Sequence, residues 1–202
     1  LGPHTFLWFA LHRPAAAADR QPRELPLLTT PGPWEDVLGE AMRPALEAAL
    51  PAWLSGRPWF NPGGHALKSM AVREVLRVTD NGPAAHVVLA EASFTDAESE
   101  TYALPLSYAG PGDYDAILRA APQAGVARLR VTRPREIGLL YDAMFSERFC
   151  QGLLAAVPVQ GPSSGAAGDL TGLRTTLYRT RLQGAGSGVL SPSAASDQSN
   201  SL

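Results

Sequence analysis

The strongest constraint on the fold is a pair of alternating apolar runs with a compact turn sequence between them. Leu67 to Thr79 and Ala84 to Phe94 both change toward a two-residue apolar period, which is typical of strands with one buried face. The connecting Asp80-Asn81-Gly82-Pro83 combines residues that favour a tight reversal of the chain. The sequence therefore predicts a β-hairpin and, with it, an antiparallel sheet.

The region after the hairpin predicts two more strands and two helices. Thr101 to Tyr108 continues the hairpin as a meander, and Val126 to Thr132 alternates like a further strand. Ile137 to Met144 and Phe149 to Val157 have helical spacing, and Ser146 is a suitable N-cap for the second of these helices.

Short helices are also predicted before and after the meander. From Trp34 to Met42 the apolar residues recur at helical spacing, and Pro44 breaks this pattern and suits the first turn of a second helix. Pro51 either ends that second helix or opens one more turn. A short helix is predicted from Tyr114 to Leu118, with Asp113 available as its N-cap.

The two ends of the chain differ in composition from its middle. Residues 1–13 contain a solid apolar run that predicts a strand buried on both faces, while residues 14–33 are rich in Ala and Pro and predict a linker. Residues 34–157 hold the predicted sheet and helices. Residues 158–202 are rich in Gly, Ser and Ala, apart from an exposed strand predicted at Leu173 to Leu182.

Taken together, these elements predict an α+β fold. A curved antiparallel sheet is expected to carry flanking short helices, with an orphan N-terminal strand and a flexible C-terminal segment outside it.

Composition argues against several classes of partner. A formal net charge of -2 with four scattered histidines gives no basic face for nucleic acid and no polybasic membrane anchor. The apolar run Phe6 to Leu11 is too short to span a bilayer. The single Cys150 cannot form an internal disulfide, which favours a reducing compartment, the cytoplasm.

Residue spacing gives no support for metal binding or nucleophilic catalysis. The histidines have neither helical i,i+4 spacing nor a cysteine pair beside them; they are His4, His12, His65 and His86. Cys150 lies on the apolar side of a predicted helix, so a buried structural cysteine is favoured over a nucleophile. No Gly-x-Ser-x-Gly elbow occurs, and a small hydrolase is not supported.

Two other residue groups allow both a functional and a structural interpretation. Acidic residues at Asp113 to Asp115 and in the turn from Thr95 to Glu100 could act as general acid and base, but a helix cap and a solvated edge explain them better. The tryptophans could stack on sugar rings, although their positions favour core packing; they are Trp34, Trp53 and Trp59.

The C-terminal stretch Ser196-Asp197-Gln198-Ser199-Asn200-Ser201 is small and polar. Its backbone N–H groups and hydroxyls could contact phosphate oxygens. A disordered polar tail has a similar composition, so the residues alone leave both interpretations open.

Leu50 to Phe60, Tyr141 to Phe149 and Ser196 to Ser201 occur in that order, and together they resemble the bacterial maltokinases. The first segment resembles the entry to that family's N-terminal cap domain, with Pro58 between the expected arginine and tryptophan. The second resembles the helix that leaves the cap. The third is similar to the loop that opens the nucleotide site, with Asp197 in place of a glutamate.

This resemblance implies an ATP-dependent transfer of phosphate to the anomeric hydroxyl of maltose, which gives maltose 1-phosphate for α-glucan synthesis. ATP and Mg²⁺ are expected in the complete kinase, and neither catalytic residues nor metal ligands are expected in this chain, which would be a non-catalytic cap segment. Lys68 lies at the very start of the hairpin and is not expected to be the nucleotide lysine. The resemblance assigns the nucleotide loop to Ser196, Gln198, Ser199, Asn200 and Ser201.

Leu1 to Phe9 resembles the last strand of a trehalose synthase, an enzyme that many bacteria carry fused in front of maltokinase. The chain is therefore expected to be a slice of such a fusion. Residues 1–13 would end the synthase, residues 34–157 would form the cap and residues 158–202 would begin the kinase lobe. The expected partners are the missing kinase lobe, the trehalose synthase domain and maltose, but not nucleic acid or a membrane.

An alternative function is a free-standing carbohydrate-binding or regulatory module without kinase activity. This alternative uses the tryptophans as a platform for sugar rings, and it requires them to be exposed.

Overall fold

A computed structural model of the chain describes residues 24–78, 85–151, 153, 163–164 and 169–170. In this part of the chain a curled six-stranded mixed sheet forms a half-barrel, which confirms the predicted α+β class. Its strands are β1 (Leu27–Thr30), β2 (Leu67–Val78), β3 (Ala85–Phe94), β4 (Glu100–Ala109), β5 (Gly125–Val131) and β6 (Glu136–Asp142).

The strand order is β1-β5-β6-β4-β3-β2. The neighbours from β5 to β2 are antiparallel, whereas β1 pairs with β5 in parallel. The predicted linker over residues 14–33 includes Leu27 to Thr30, and that prediction is wrong for these four residues. Leu28 and Thr30 are buried in the sheet, so a strand of only four residues was hidden by its proline-rich surroundings.

The predicted hairpin is confirmed by the pairing of β2 with β3. Its register begins at Val78↔Ala85 and continues to Leu67↔Phe94, with two irregularities along β2. Residues 79–84, which include the predicted turn, lie outside the described residues. β4 continues the antiparallel meander and begins one residue before the predicted strand.

The prediction of a helix from Ile137 to Met144 is wrong. Glu136–Asp142 form strand β6, and a 3-10 helix, Ala143–Phe145, follows it. β6 lies between β4 and β5, so both of its faces are covered and five consecutive residues, 138–142, are buried. A short apolar run of this kind does not distinguish a doubly buried strand from a helix.

Helix α1 (Arg43–Leu54) fills the inside of the half-barrel. It contacts both β2 and β5, which are separated by three strands in the sheet, so the sheet must curl around it. Pro44 stands in the first turn, as predicted, and the helix continues past Pro51 to bury Trp53 and Leu54. The face of the sheet that packs on α1 is the concave face, and the opposite one is the outer face.

The helix predicted from Trp34 to Met42 is shorter in the structure. A 3-10 helix covers Trp34–Leu38, and Gly39 ends it in an extended conformation. Val37 and Leu38 reach the same core as α1. The main core therefore joins β1 and this 3-10 helix to the hairpin strands.

Helix α2 (Pro111–Ala120) covers part of the outer face, where a second core forms around Leu139 and Tyr141 of β6. The helix begins earlier than predicted, with Gly110 at the N-cap. Asp113 is therefore not the cap. It lies in the first turn, where a negative charge still favours the helix dipole. A second 3-10 helix, Pro122–Ala124, then leads into β5.

The chain leaves the sheet through a helix that begins at residue 147. The predicted cap at Ser146 is confirmed, because its Oγ accepts a hydrogen bond from the backbone N–H of Phe149 at 3.3 Å. Two short strands, β7 (Ser163–Ser164) and β8 (Asp169–Leu170), form a separate antiparallel pair, and β7 lies against β2.

Several predicted segments lie outside the described residues. They are the strand at residues 1–13, the strand at Leu173 to Leu182 and the C-terminal loop. In the described ranges, none of the helices has the length and apolar content needed to cross a bilayer.

Candidate functional site

The most strongly perturbed carboxylate in the described interior is Asp142, the last residue of β6. Its side chain is only 5% exposed, and its Oδ1 accepts a hydrogen bond from the backbone N–H of Met144 at 3.0 Å. Burial raises the pKa of Asp142 to about 6, because a buried carboxylate loses hydration, while this hydrogen bond and the charge of Arg57 lower it. Asp142 thus holds the turn through which the chain leaves the sheet.

Arg57 links this carboxylate to a group of aromatic side chains. Its guanidinium lies 5.0 Å from the ring centroid of Trp53, which is within the range of a cation–π contact. Trp53 meets Trp59 edge to face at 6.4 Å between centroids, and Trp59 lies 6.1 Å from Tyr102. Phe60 and Phe94 complete this aromatic cluster.

The tryptophans are used in packing, as their positions in the sequence predict. Trp53 is 2% exposed and belongs to the core, and Trp34 and Trp59 are half-buried against the same core. A ring that stacks on a sugar must present an open face, which Trp53 does not have. The tryptophan rings on which the carbohydrate-binding alternative depends are therefore used largely in core packing.

Cys150 is half-buried close to Asp142. Its Sγ donates a weak hydrogen bond to the carbonyl oxygen of Met144 at 3.4 Å. Burial raises the pKa of the thiol, and the negative charge of Asp142 raises it further. A thiol held in its neutral form is a poor nucleophile, so the structural role favoured for Cys150 fits this environment.

A second buried polar group lies on the concave face where β3 begins. His86 is 8% exposed and meets Trp34 edge to face at 5.3 Å, and Trp34 stacks on Tyr108 at 6.1 Å. The Tyr108 hydroxyl donates a hydrogen bond to Glu136 Oε1 at 2.9 Å. This His86 cluster ties the first 3-10 helix to β3, β4 and β6.

The charge state of His86 follows from this environment. Burial lowers its pKa, the positive charge of Arg77 lowers it further, and the negative charge of Glu35 opposes both. Burial thus favours the neutral form of the imidazole, which suits a ring packed among aromatic side chains.

The acidic residues weighed as general acids and bases lie on the surface. Asp113 and Asp115 are exposed on α2, and the acids of the turn before β4 are exposed as well. Among the residues that the structure describes, no three or more His, Cys, Asp or Glu side chains are grouped so that they could hold a metal ion. His65 is exposed, while His4 and His12 lie outside the described residues.

The residues predicted to bind nucleotide lie outside the described residues; they are Ser196, Gln198, Ser199, Asn200 and Ser201. Lys68 is described, and it is exposed near the start of β2.

Residues 53–145, from the last turn of α1 to the 3-10 helix after β6, match the family model of the maltokinase N-terminal cap domain. This region is a maltokinase N-terminal cap domain. A comparison with curated proteins gives no match to the chain. The matched range includes Arg57 and Asp142, and five of the six strands of the half-barrel fall inside it.

Two polar features of the cap domain were not found from the sequence. Asp142 lies in a segment singled out for its resemblance, but nothing in its neighbours indicates a buried carboxylate. The bond between Tyr108 and Glu136 joins residues 28 positions apart, so only the pairing of β4 with β6 reveals it.

The buried carboxylate predicts an unusual dependence of cap stability on pH. Because folding raises the Asp142 pKa from 3.8 to about 6, the folded state binds this proton more tightly. That contribution is full below pH 4 and is lost as pH rises through 6. Asp142→Asn keeps an oxygen for the Met144 N–H, so we expect it to stabilise the cap by roughly 2–3 kcal/mol at pH 8 and by little at pH 4.

The measurement is urea unfolding followed by tryptophan fluorescence at several pH values. Any pH dependence that His86 contributes is common to both proteins and cancels when the variant is compared with the wild type at each pH. Asp96→Asn, in an exposed turn, is the matched control and should change stability by less than about 0.5 kcal/mol. A stability difference for Asp142→Asn that stays constant from pH 4 to pH 8 would contradict the argument.

Proposed function

We propose that this chain supplies the N-terminal cap of a kinase that transfers phosphate from ATP to the anomeric hydroxyl of maltose, and that the cap itself performs no chemistry. The match to the cap family carries the proposal. The use of the buried polar groups supports it: Asp142 caps a turn, His86 packs among aromatic rings and Glu136 accepts from Tyr108.

The described residues do not fit a nucleotide or magnesium site. Phosphoryl transfer needs carboxylates that position Mg²⁺, a lysine on the nucleotide phosphates and a carboxylate that orients the attacking hydroxyl. Lys68 is exposed on an edge strand, and within the described ranges no three or more His, Cys, Asp or Glu side chains are grouped so that they could hold a metal ion. We assign ATP and Mg²⁺ to the complete kinase, with Ser196 to Ser201 as the start of its nucleotide loop.

We also propose that the cap is linked to a trehalose synthase, in the cytoplasm, as part of a route from trehalose to α-glucan. This part rests on the resemblance of Leu1 to Phe9 to a synthase strand. The coding DNA on either side tests it: an in-frame amylase-type barrel upstream and a kinase lobe downstream are expected. Stop codons close to both ends would overturn the fusion.

The catalytic part of the proposal is tested by activity. The purified chain, incubated with maltose, ATP and Mg²⁺, is expected to form no maltose 1-phosphate. When it is mixed with a separately produced maltokinase lobe that lacks its own cap, we expect it to bind that lobe and increase the rate at least about tenfold, since positioning alone can change rates by such factors.

The control is a chain whose core is disrupted, with unfolding verified by circular dichroism, which should give no increase. Magnesium-dependent turnover by the chain alone would show that it is not merely a cap. Failure to bind the lobe would remove the proposed role. A maltose titration of the chain alone, followed by tryptophan fluorescence and melting temperature, should show no response; a saturable response would favour the carbohydrate-binding alternative.

A further inference from the structure

β2 is an edge strand of the described sheet, paired with β3 on one side only. In an antiparallel pair, every second residue of such a strand directs its N–H and C=O groups away from the partner strand. A row of unpaired groups of this kind can bind a strand of another chain. β7 lies against β2, but its residues pair with β8. The groups that occupy the outward N–H positions of β2 therefore decide whether the sheet can add a strand there.

Two glutamates occupy outward N–H groups of β2. Glu47 of α1 is half-buried, and its Oε1 accepts a hydrogen bond from the backbone N–H of Val72 at 2.7 Å. Glu74 is 9% exposed, and its Oε1 accepts a hydrogen bond from the backbone N–H of Val75 at 3.1 Å. Hydrogen bonds to a carboxylate are roughly twice as strong as those between neutral groups. Each glutamate therefore competes well with the carbonyl oxygen that another strand would offer.

A β-bulge lies between these two positions. The pairing advances from Val72 to Glu74 while β3 advances by a single residue, so Arg73 is the extra residue. The outward N–H groups of Val72 and Val75 are therefore three residues apart, whereas a regular strand presents them every two residues. Arg73 forms an ion pair with Glu91, which ties the bulge to β3. A regular strand cannot match this three-residue interval.

We propose that Glu47 and Glu74 hold the β2 edge closed against pairing with the β2 edge of a second copy of this chain. A second β2 fits this edge better than a regular strand, because it has the same three-residue interval. A two-fold axis between the two strands would place Val72 of each copy opposite Val75 of the other. The two carboxylates take the place of the second strand, and they keep this edge of the cap unpaired with other copies.

The charges beside the edge act in the same direction. Glu47 is half-buried and Arg73 is exposed, and an added strand would remove both from water. Burying charged groups costs free energy unless they gain new partners. Pairing of two β2 edges is therefore opposed both by the occupied N–H groups and by the loss of hydration.

The first test follows single amides of the whole chain by hydrogen exchange, measured by NMR in dilute solution. Glu47→Ala should increase the exchange rate of the Val72 amide at least about tenfold and leave the β4 amides unchanged. Glu47→Gln keeps an oxygen at the same distance along the side chain, so Val72 should retain most of its protection. Unchanged exchange of Val72 in Glu47→Ala would overturn the proposal, because the carboxylate would then not be what protects this N–H.

The second test measures association by sedimentation, in which the wild-type chain is expected at its monomer mass of 21.4 kDa. Glu47→Ala/Glu74→Ala should dimerise, with a Kd at least about tenfold below that of any wild-type association. Glu47→Gln/Glu74→Gln is the matched variant without the charges and should behave as the wild type. Glu40→Ala removes an exposed carboxylate just before α1 and should also have no effect.

The same amides show whether the dimer forms through β2. In Glu47→Ala/Glu74→Ala, the Val72 and Val75 amides should regain protection as the protein concentration rises. Circular dichroism establishes that each variant is folded; if this one is not, Glu47→Ala/Glu74→Gln opens the edge at Val72 alone and should still dimerise more tightly than the wild type. Association no tighter than that of the wild type would overturn the proposal. Protection that does not depend on concentration would also overturn it, because a segment of the same chain would then cover the edge.

Discussion

A Trp53→Ala variant is expected to lose about 3–5 kcal/mol of folding free energy, which is enough to unfold much of the cap. Trp53 is one of the largest fully buried side chains described. It lies in the last turn of α1 and contacts both Trp59 and Arg57. Truncation would leave a large cavity and also remove the ring on which Arg57 rests. Urea unfolding measured by circular dichroism gives the value without depending on tryptophan emission.

The matched control is Trp53→Phe. The indole N–H of Trp53 has no hydrogen-bond acceptor among the described residues. Phenylalanine keeps an aromatic ring against Trp59 and removes that buried donor, so its loss should be less than half that of Trp53→Ala. Equal losses for the two variants would mean that the ring contacts contribute little and that the argument for this core is wrong.

A Gly138→Ala variant is the second large effect, with an expected loss of about 3 kcal/mol from overpacking. Gly138 is buried in β6, and a Cβ at this position would collide with the carbonyl oxygen of Ala109 and with the ring and hydroxyl of Tyr108. The backbone contact cannot be relieved by a side-chain rotation. β4 and β6 would have to separate where they pair, and the hydrogen bond from Tyr108 to Glu136 would be lost.

Gly112→Ala is the control for this substitution. Gly112 lies in α2 with open space around its Cα, so alanine there should be neutral or stabilise the fold by up to about 1 kcal/mol. Adding Tyr108→Ala to Gly138→Ala should restore only part of the loss, because the Ala109 carbonyl remains. Full restoration would show that the close approach of the two strands is not the cause.

The β2–β3 hairpin could be predicted because its information is local. Both strands alternate, and a turn sequence joins them, so neighbouring residues specify the pairing. β6 could not be predicted in this way, because its burial on both faces depends on β4 and β5 lying beside it. β1 depends on a partner about 100 residues later in the chain, and no local pattern indicates a parallel pairing at that distance.

In the candidate site, too, some features could be predicted from the sequence and others could not. Family resemblance placed the segments that contain Arg57 and Asp142 in a cap domain, and the family match confirms that placement. The raised pKa of Asp142 could not be predicted, because it comes from burial beneath other elements rather than from neighbouring residues. The nucleotide loop at Ser196 to Ser201 and the domain limit at residue 157 remain predictions, whereas β1 extends the sheet to residues before the predicted limit at residue 34.

The parallel pairing of β1 with β5 also fixes the route of the polypeptide. Leu25 lies against Gly125 at the beginning of β5, and Gly125 pairs with Tyr141 near the end of β6. The chain therefore enters and leaves the half-barrel on one side. A pulling force applied between the segments before Leu25 and after Tyr141 would therefore act on the contacts among β1, β5 and β6. The β2–β3–β4 meander would not carry this force.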